Sequence, residues 1–116
     1  MQLQNYSLCD RTVTIYRWKD GCIQRQVEPD CYYQWQIQQE RGVAGMRRET
    51  TFLLVMPGEE VRVFPGDRVF DGIGPDVQQI DWARFVPSAV TGLSEVAYVQ
   101  PWYFEGKLCH VEAGRK

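Results

Sequence analysis

From Arg11 to Trp18 the chain reads RTVTIYRW, with Val13 and Ile15 on one face of an extended segment and Thr12, Thr14 and Tyr16 on the other. Successive strand side chains leave opposite faces of a sheet, so this alternation predicts a β-strand. Asp20-Gly21 follows, a pair that suits a tight type I′ turn because both central residues need positive φ. Residues 22–27 then return as the partner strand. Glu28-Pro29-Asp30 reads as a turn. Beyond it Cys31, Tyr33, Trp35 and Ile37 share one face, with Tyr32, Gln34, Gln36 and Gln38 on the other. Such a strand has one face on a core and one in water.

From about Gln38 to Arg48 the alternation fails, in a polar stretch holding Gly42, Gly45, Arg41, Arg47 and Arg48. It resumes in ETTFLLVM, Glu49 to Met56, apolar enough for a buried central strand. The expectation is two strands joined by a mobile loop over about 38–48. Loops near that length are uncommon unless they bind something or are disordered.

Downstream, Pro57-Gly58 and Pro65-Gly66-Asp67 bracket a short expected strand, Glu60 to Phe64, and Arg68 to Asp71 reads as another. Asp76 to Phe85 has weak 3.6-residue spacing through Val77, Ile80, Arg84 and Phe85, which suggests a short helix stopped by Pro87. Leu93 to Gln100 and Lys107 to Glu112 read as closing strands, joined through Pro101 and the Glu105-Gly106 turn. The expected fold is all-β: a small β-barrel or sandwich of six or seven short strands, one long hairpin loop and at most one short helix.

A chain of 116 residues supports one core, hence one domain over 1–116, with the first eight or so residues expected to be flexible. With 44% hydrophobic and 24% charged residues the composition is that of a globular protein. The formal net charge of -2 argues against a dedicated nucleic-acid binder. No apolar run approaches the roughly 18 residues of a membrane helix. MQLQNYSLCD lacks the basic and apolar regions of a signal peptide, so a cytoplasmic residence is expected.

Chemistry is thinly represented. Asp67, Asp71 and Asp76 lie among glycines and prolines, where Asp more often caps turns than shares a proton or a metal. His110 is the sole histidine and adjoins Cys109, but neighbouring strand residues point to opposite faces and do not readily grip one ion. TGLSEV is not a GxSxG elbow, and no P-loop or dinucleotide fingerprint is present. No enzyme activity, cofactor or metal is expected. Tyr32, Tyr33, Trp35, Trp82, Phe85, Tyr98, Trp102, Tyr103 and Phe104 could stack single-stranded bases, but that mode wants a basic groove. Core packing and protein interfaces suit them better. In PWYF, Pro101 to Phe104, three consecutive aromatics cannot all face one side of a strand. Trp102, Tyr103 and Phe104 are therefore the candidate interface residues.

The order TVTIY, hairpin, CYYQW, polar excursion, TFLLVMPG, PGDRVFDGIGP, IDWARFVPSAVTGL and EVAYVQPWYFEGKLCHVEAG resembles a family of small phage proteins. They are encoded in the structural-gene clusters of tailed phages and prophages of Gram-positive bacteria, and are described as minor capsid or head–tail connector proteins. The resemblance covers residues 11 to 114, and PGDRVFDGIGP with WYFEGKLCHVEAG carries most of its specificity. A more distant likeness is to head-completion, or stopper, proteins, small β-barrels that form a ring beneath portal and adaptor.

The resemblance implies a virion protein of the neck, found in the host cytoplasm before assembly. Its implied partners are portal, adaptor and tail proteins and further copies of itself, with no membrane. The segment Ile37 to Arg48 would correspond to a loop that lines or closes the DNA channel, where Arg41, Arg47 and Arg48 would touch phosphates of double-stranded DNA without sequence preference. Two alternatives stand beside this reading. One is a β-barrel adaptor that binds another phage structural protein without plugging the channel; the other is a small hydrolase built on His110 and the acidic turns.

Cys9, Cys22, Cys31 and Cys109 include no CxxC pair, and a chain without an export signal keeps its thiols reduced. Alkylation under denaturing conditions without reductant should therefore add four labels by intact mass; fewer would mean a disulfide.

Overall fold

A computed structural model describes residues 6–42 and 45–115, and over 37–42 and 45–50 the backbone alone. Seven strands form one antiparallel sheet: β1 (Arg11–Lys19), β2 (Cys22–Gly42), β3 (Gly45–Pro57), β4 (Arg68–Asp71), β5 (Leu93–Glu95), β6 (Tyr98–Phe104) and β7 (Lys107–Arg115). Their order is β5-β4-β1-β2-β3-β7-β6, and the sheet curls into a half-barrel. The expected all-β class is what forms. No helix among the described residues is long and apolar enough to cross a membrane.

β2 is the shared strand. Its first half pairs with β1, from Lys19↔Cys22 to Arg11↔Cys31, and its second half pairs with β3, from Tyr32↔Val55 to Gly42↔Gly45. Glu28-Pro29-Asp30 does not end the strand, as its composition suggested. Between the pairs Val13↔Glu28 and Arg11↔Cys31 the register slips, giving β2 one extra residue, and Asp30 sits at φ 57. A bulge of this kind bends a strand without ending it. Proline's missing N–H is tolerated at such a point.

The two hairpin turns read from sequence form as expected. Asp20 and Gly21 have φ 54 and 75, and Glu105 and Gly106 have φ 51 and 79.

Val13, Ile15, Cys31, Tyr33, Leu54, Val69, Val111 and Ala113 fill the inside of the half-barrel. β1 is buried on its other face too. Tyr16 packs edge-to-face on Phe85, ring centroids 4.7 Å apart, in a second cluster with Leu93. Thr14 on that face donates to the carbonyl of Gly72 at 2.8 Å and accepts from the Gly74 amide at 2.8 Å. Tyr16 donates to the Pro75 carbonyl at 2.6 Å, and the Arg25 guanidinium donates to the Gly74 carbonyl. The GIGP part of PGDRVFDGIGP is thus a lid pinned over β1.

Three expected elements differ. Glu60 to Phe64 is irregular: Val63 drops fully into the core, while Gln26 and Arg17 bond the Arg62 carbonyl in place of a strand partner. Asp76 to Phe85 is not an α-helix but a 3-10 helix over Gln79–Arg84, none of whose residues is buried. Trp82 alone of its residues packs on the second cluster, partly buried, so little favours a longer helix there. Leu93 to Gln100 divides at Val96-Ala97. The Val96 amide donates to the Asp67 carbonyl and the Ala97 amide to that of Gly114, both at 2.8 Å. Consecutive residues therefore join opposite margins of the sheet.

A methyl on Gly74 would overlap the buried Tyr16 hydroxyl and press on the Phe70 ring. Since Tyr16 is fixed by its bond to Pro75, it cannot swing away. Gly74→Ala should cost about 1–3 kcal/mol, read as a lowered urea midpoint at unchanged slope.

Candidate functional site

The long hairpin and the end of β6 are where the chain leaves its core. Among the described residues β7 pairs with β3 from Pro57↔His110 to Phe52↔Arg115. Beyond that last pair, residues 36–42 and 45–51 continue as a ribbon paired from Gln36↔Thr51 to Gly42↔Gly45, with no third strand among the described residues. Seven residues at roughly 3.3 Å each make a ribbon about 23 Å long. The Cα radius of gyration is 15.2 Å, against about 13 Å for a compact domain of this length.

Most of the excursion expected as a loop over 38–48 is thus backbone-paired. Polar side chains spoil the hydrophobic alternation but leave the backbone donors and acceptors intact. The pairs Arg41↔Met46, Glu40↔Arg47 and Gln39↔Arg48 place the three candidate arginines near the ribbon's far end. Their side chains, and residues 43 and 44, lie outside the described residues.

Trp102, Tyr103 and Phe104 are 40%, 63% and 56% exposed at the end of the outermost strand, as the PWYF spacing suggested. A register shift between Trp102 and Tyr103 turns the strand there. Pro101 lies within this outer strand and blunts it against edge pairing. Trp102 is held by its indole N–H, which donates to Glu112 Oε2 at 2.7 Å, and by stacking on His110, centroids 6.1 Å apart.

His110 itself is buried, although it lies beside Trp102 and not in the main core. The N-terminal turn covers it: the Tyr6 hydroxyl meets His110 Nδ1 at 3.0 Å, the two rings edge-on. Of the stretch expected to be flexible, 1–8, residues 1–5 lie outside the described residues, while Tyr6 makes this contact and its carbonyl accepts from the Cys9 amide at 2.9 Å. Sequence spacing gave no sign of this contact, which joins residues 104 positions apart.

The acidic turns separate into structural roles. Asp67 is buried and takes two bonds from Arg17, Nε at 2.8 Å and Nη2 at 2.6 Å, while its Oδ2 accepts from the Phe64 amide. Asp76 lies exposed 3.7 Å from Arg25, and Asp71 is also exposed. Among the described residues no three His, Cys, Asp or Glu side chains are grouped to hold a metal.

The four cysteines are free thiols. Burial above all, with the Glu28 carboxylate adding to it, pushes the Cys31 thiol up to about 12, which leaves it unreactive. Of the aromatics weighed for base stacking, Tyr33 and Phe85 are core residues, and Trp82 lies under the Arg68 guanidinium at 3.7 Å.

Asp67→Asn should be strongly destabilising, by about 3 kcal/mol or more, because it leaves Arg17 without its anion at a largely buried site. Thermal unfolding of Asp67→Asn, Arg17→Met and the double variant checks this. A double variant no worse than Asp67→Asn alone is the expected result, since the two residues act as a pair.

No protein-family model matches the chain, and neither a curated protein nor a solved structure matches it.

Proposed function

We propose that this chain is a structural subunit of the head–tail junction of a tailed phage. It would assemble as a ring below the portal and help to retain packaged DNA. The observation that carries the reading is the ribbon of residues 36–42 and 45–51, which has no third strand among the described residues. A two-stranded ribbon alone in water is marginally stable, so one this long makes sense where neighbouring subunits or DNA back it. In a ring, the half-barrel would be the docked body and the ribbon the part that reaches the channel. Arg41, Arg47 and Arg48 would there contact phosphate, a sequence-independent attraction, while the net charge of -2 keeps the rest of the protein from clinging to DNA.

Trp102, Tyr103 and Phe104 supply the anchor to a neighbouring neck protein. Burying one such aromatic contributes about 2 kcal/mol or more at an interface. The same exposed aromatics favour the second reading, an adaptor that binds another phage structural protein without closing the channel.

Because Ile37 pairs with Thr50, replacing 38–49 by Asn-Gly leaves a closed hairpin and should keep the half-barrel folded, loop length having little weight in stability. Particles carrying the shortened protein should form but lose DNA, measured as nuclease-sensitive DNA after release. Full retention of DNA would overturn the channel role. The adaptor reading would then stand only if Trp102→Ala with Tyr103→Ala still prevented incorporation into particles.

A further inference from the structure

We propose that Tyr6, His110, Trp102 and Glu112 form a proton-operated clasp, in which neutral His110 holds the N-terminal turn and the outer strand together and its protonation releases Trp102 from Glu112. The inference stands on the packing around His110 and does not depend on the phage reading.

His110 is 4% exposed, and among the described residues its Nε2 has no hydrogen-bond partner. Its Nδ1 is engaged by the Tyr6 hydroxyl. One neutral tautomer lets Nδ1 accept from Tyr6 and the other lets it donate, so either neutral form keeps the Tyr6 bond and leaves only an uncharged Nε2 without a partner among the described residues. An imidazolium puts a positive charge on that same buried, unpartnered nitrogen, and an unpaired buried charge is far more costly than an unpaired neutral group.

The groups that face the ring from each packed element are few. Among the described residues Tyr6 comes from the N-terminal turn, Trp102 from β6, Pro57 from β3, and Glu112 from β7 itself. Glu112 is the one anion among them, two residues along the same strand. Burial holds the His110 pKa below its usual 6.5, and Glu112 works against that.

Glu112 is already in use, accepting the Trp102 indole N–H. A protonated His110 and Trp102 thus compete for one carboxylate. A charged donor makes roughly twice as strong a bond as the neutral indole, so Glu112 turns to His110 and Trp102 loses its hydrogen bond. The sign follows from the lowered pKa. The clasp's contribution is complete above pH 6.5 and is lost as the pH falls through the folded-state midpoint below it.

The test is a pH titration of the full chain by NMR, from 7.5 to 4.5, following the His110 ring protons, the Trp102 indole N–H and the Cys9 amide. All three should shift with one shared midpoint below 6.5. In His110→Gln the Trp102 and Cys9 steps should vanish.

Should that variant fail to fold, Glu112→Gln serves instead: the His110 midpoint should fall further and the Trp102 step should disappear. A Trp102 signal that does not move, that moves with a different midpoint from His110, or that still moves in either variant overturns the clasp.

Discussion

The closure at Val96 and Ala97 is the constraint on which the rest of the fold depends. Two successive residues serve opposite margins of the sheet, Val96 exchanging bonds with Gly66 and Asp67, and Ala97 donating to Gly114. A curled sheet of seven strands has two free margins, and backbone groups left open there must find partners or water. Joining the margins through one covalent corner fixes the curl and sets β6 beside β7. The corner is itself held by side chains. Val96 fills the core, and Asp67 is clamped by Arg17 while it caps the turn at Phe64. Gly114 has no side chain because a Cβ there would run into the Phe52 carbonyl and crowd Tyr98.

The bulge at Pro29-Asp30 has the complementary effect on the far side of the sheet. It lets β2 leave β1 and continue beside β3, so that one strand of 21 residues belongs to both halves. Past the core residues Tyr33 and Phe52, backbone pairing continues to Gly42 and Gly45 with no third strand among the described residues. That two-stranded ribbon is the feature that sets this domain apart from a plain half-barrel.

The outer surface of β7 shows how a titratable side chain becomes buried without entering a core. His110 faces away from Val111 and Ala113, and it is the N-terminal turn and Trp102 that exclude water from it. The exposed aromatics at the end of β6 are consequently tied through Trp102 to a group whose charge changes with pH.

What the amino-acid order determined alone were the features with local causes. Alternation placed β1 and the two halves of β2, Asp20-Gly21 and Glu105-Gly106 set their turns through positive φ, and PWYF marked an exposed aromatic end. The tertiary structure decided what depends on distant partners. Alternation set Thr14 and Tyr16 on the face opposite Val13 and Ile15 but not that the GIGP lid covers them, and Glu60 to Phe64 looks like a strand, but the core takes Val63 and side chains bond its backbone instead. The ribbon past Gln38 escaped the pattern because backbone pairing needs no hydrophobic alternation, and the sequence there is polar. The burial of His110 escaped it because the contact that causes it joins two residues 104 positions apart. Periodicity records which side of an element is covered by its own sheet; it carries no record of coverage supplied from elsewhere in the chain.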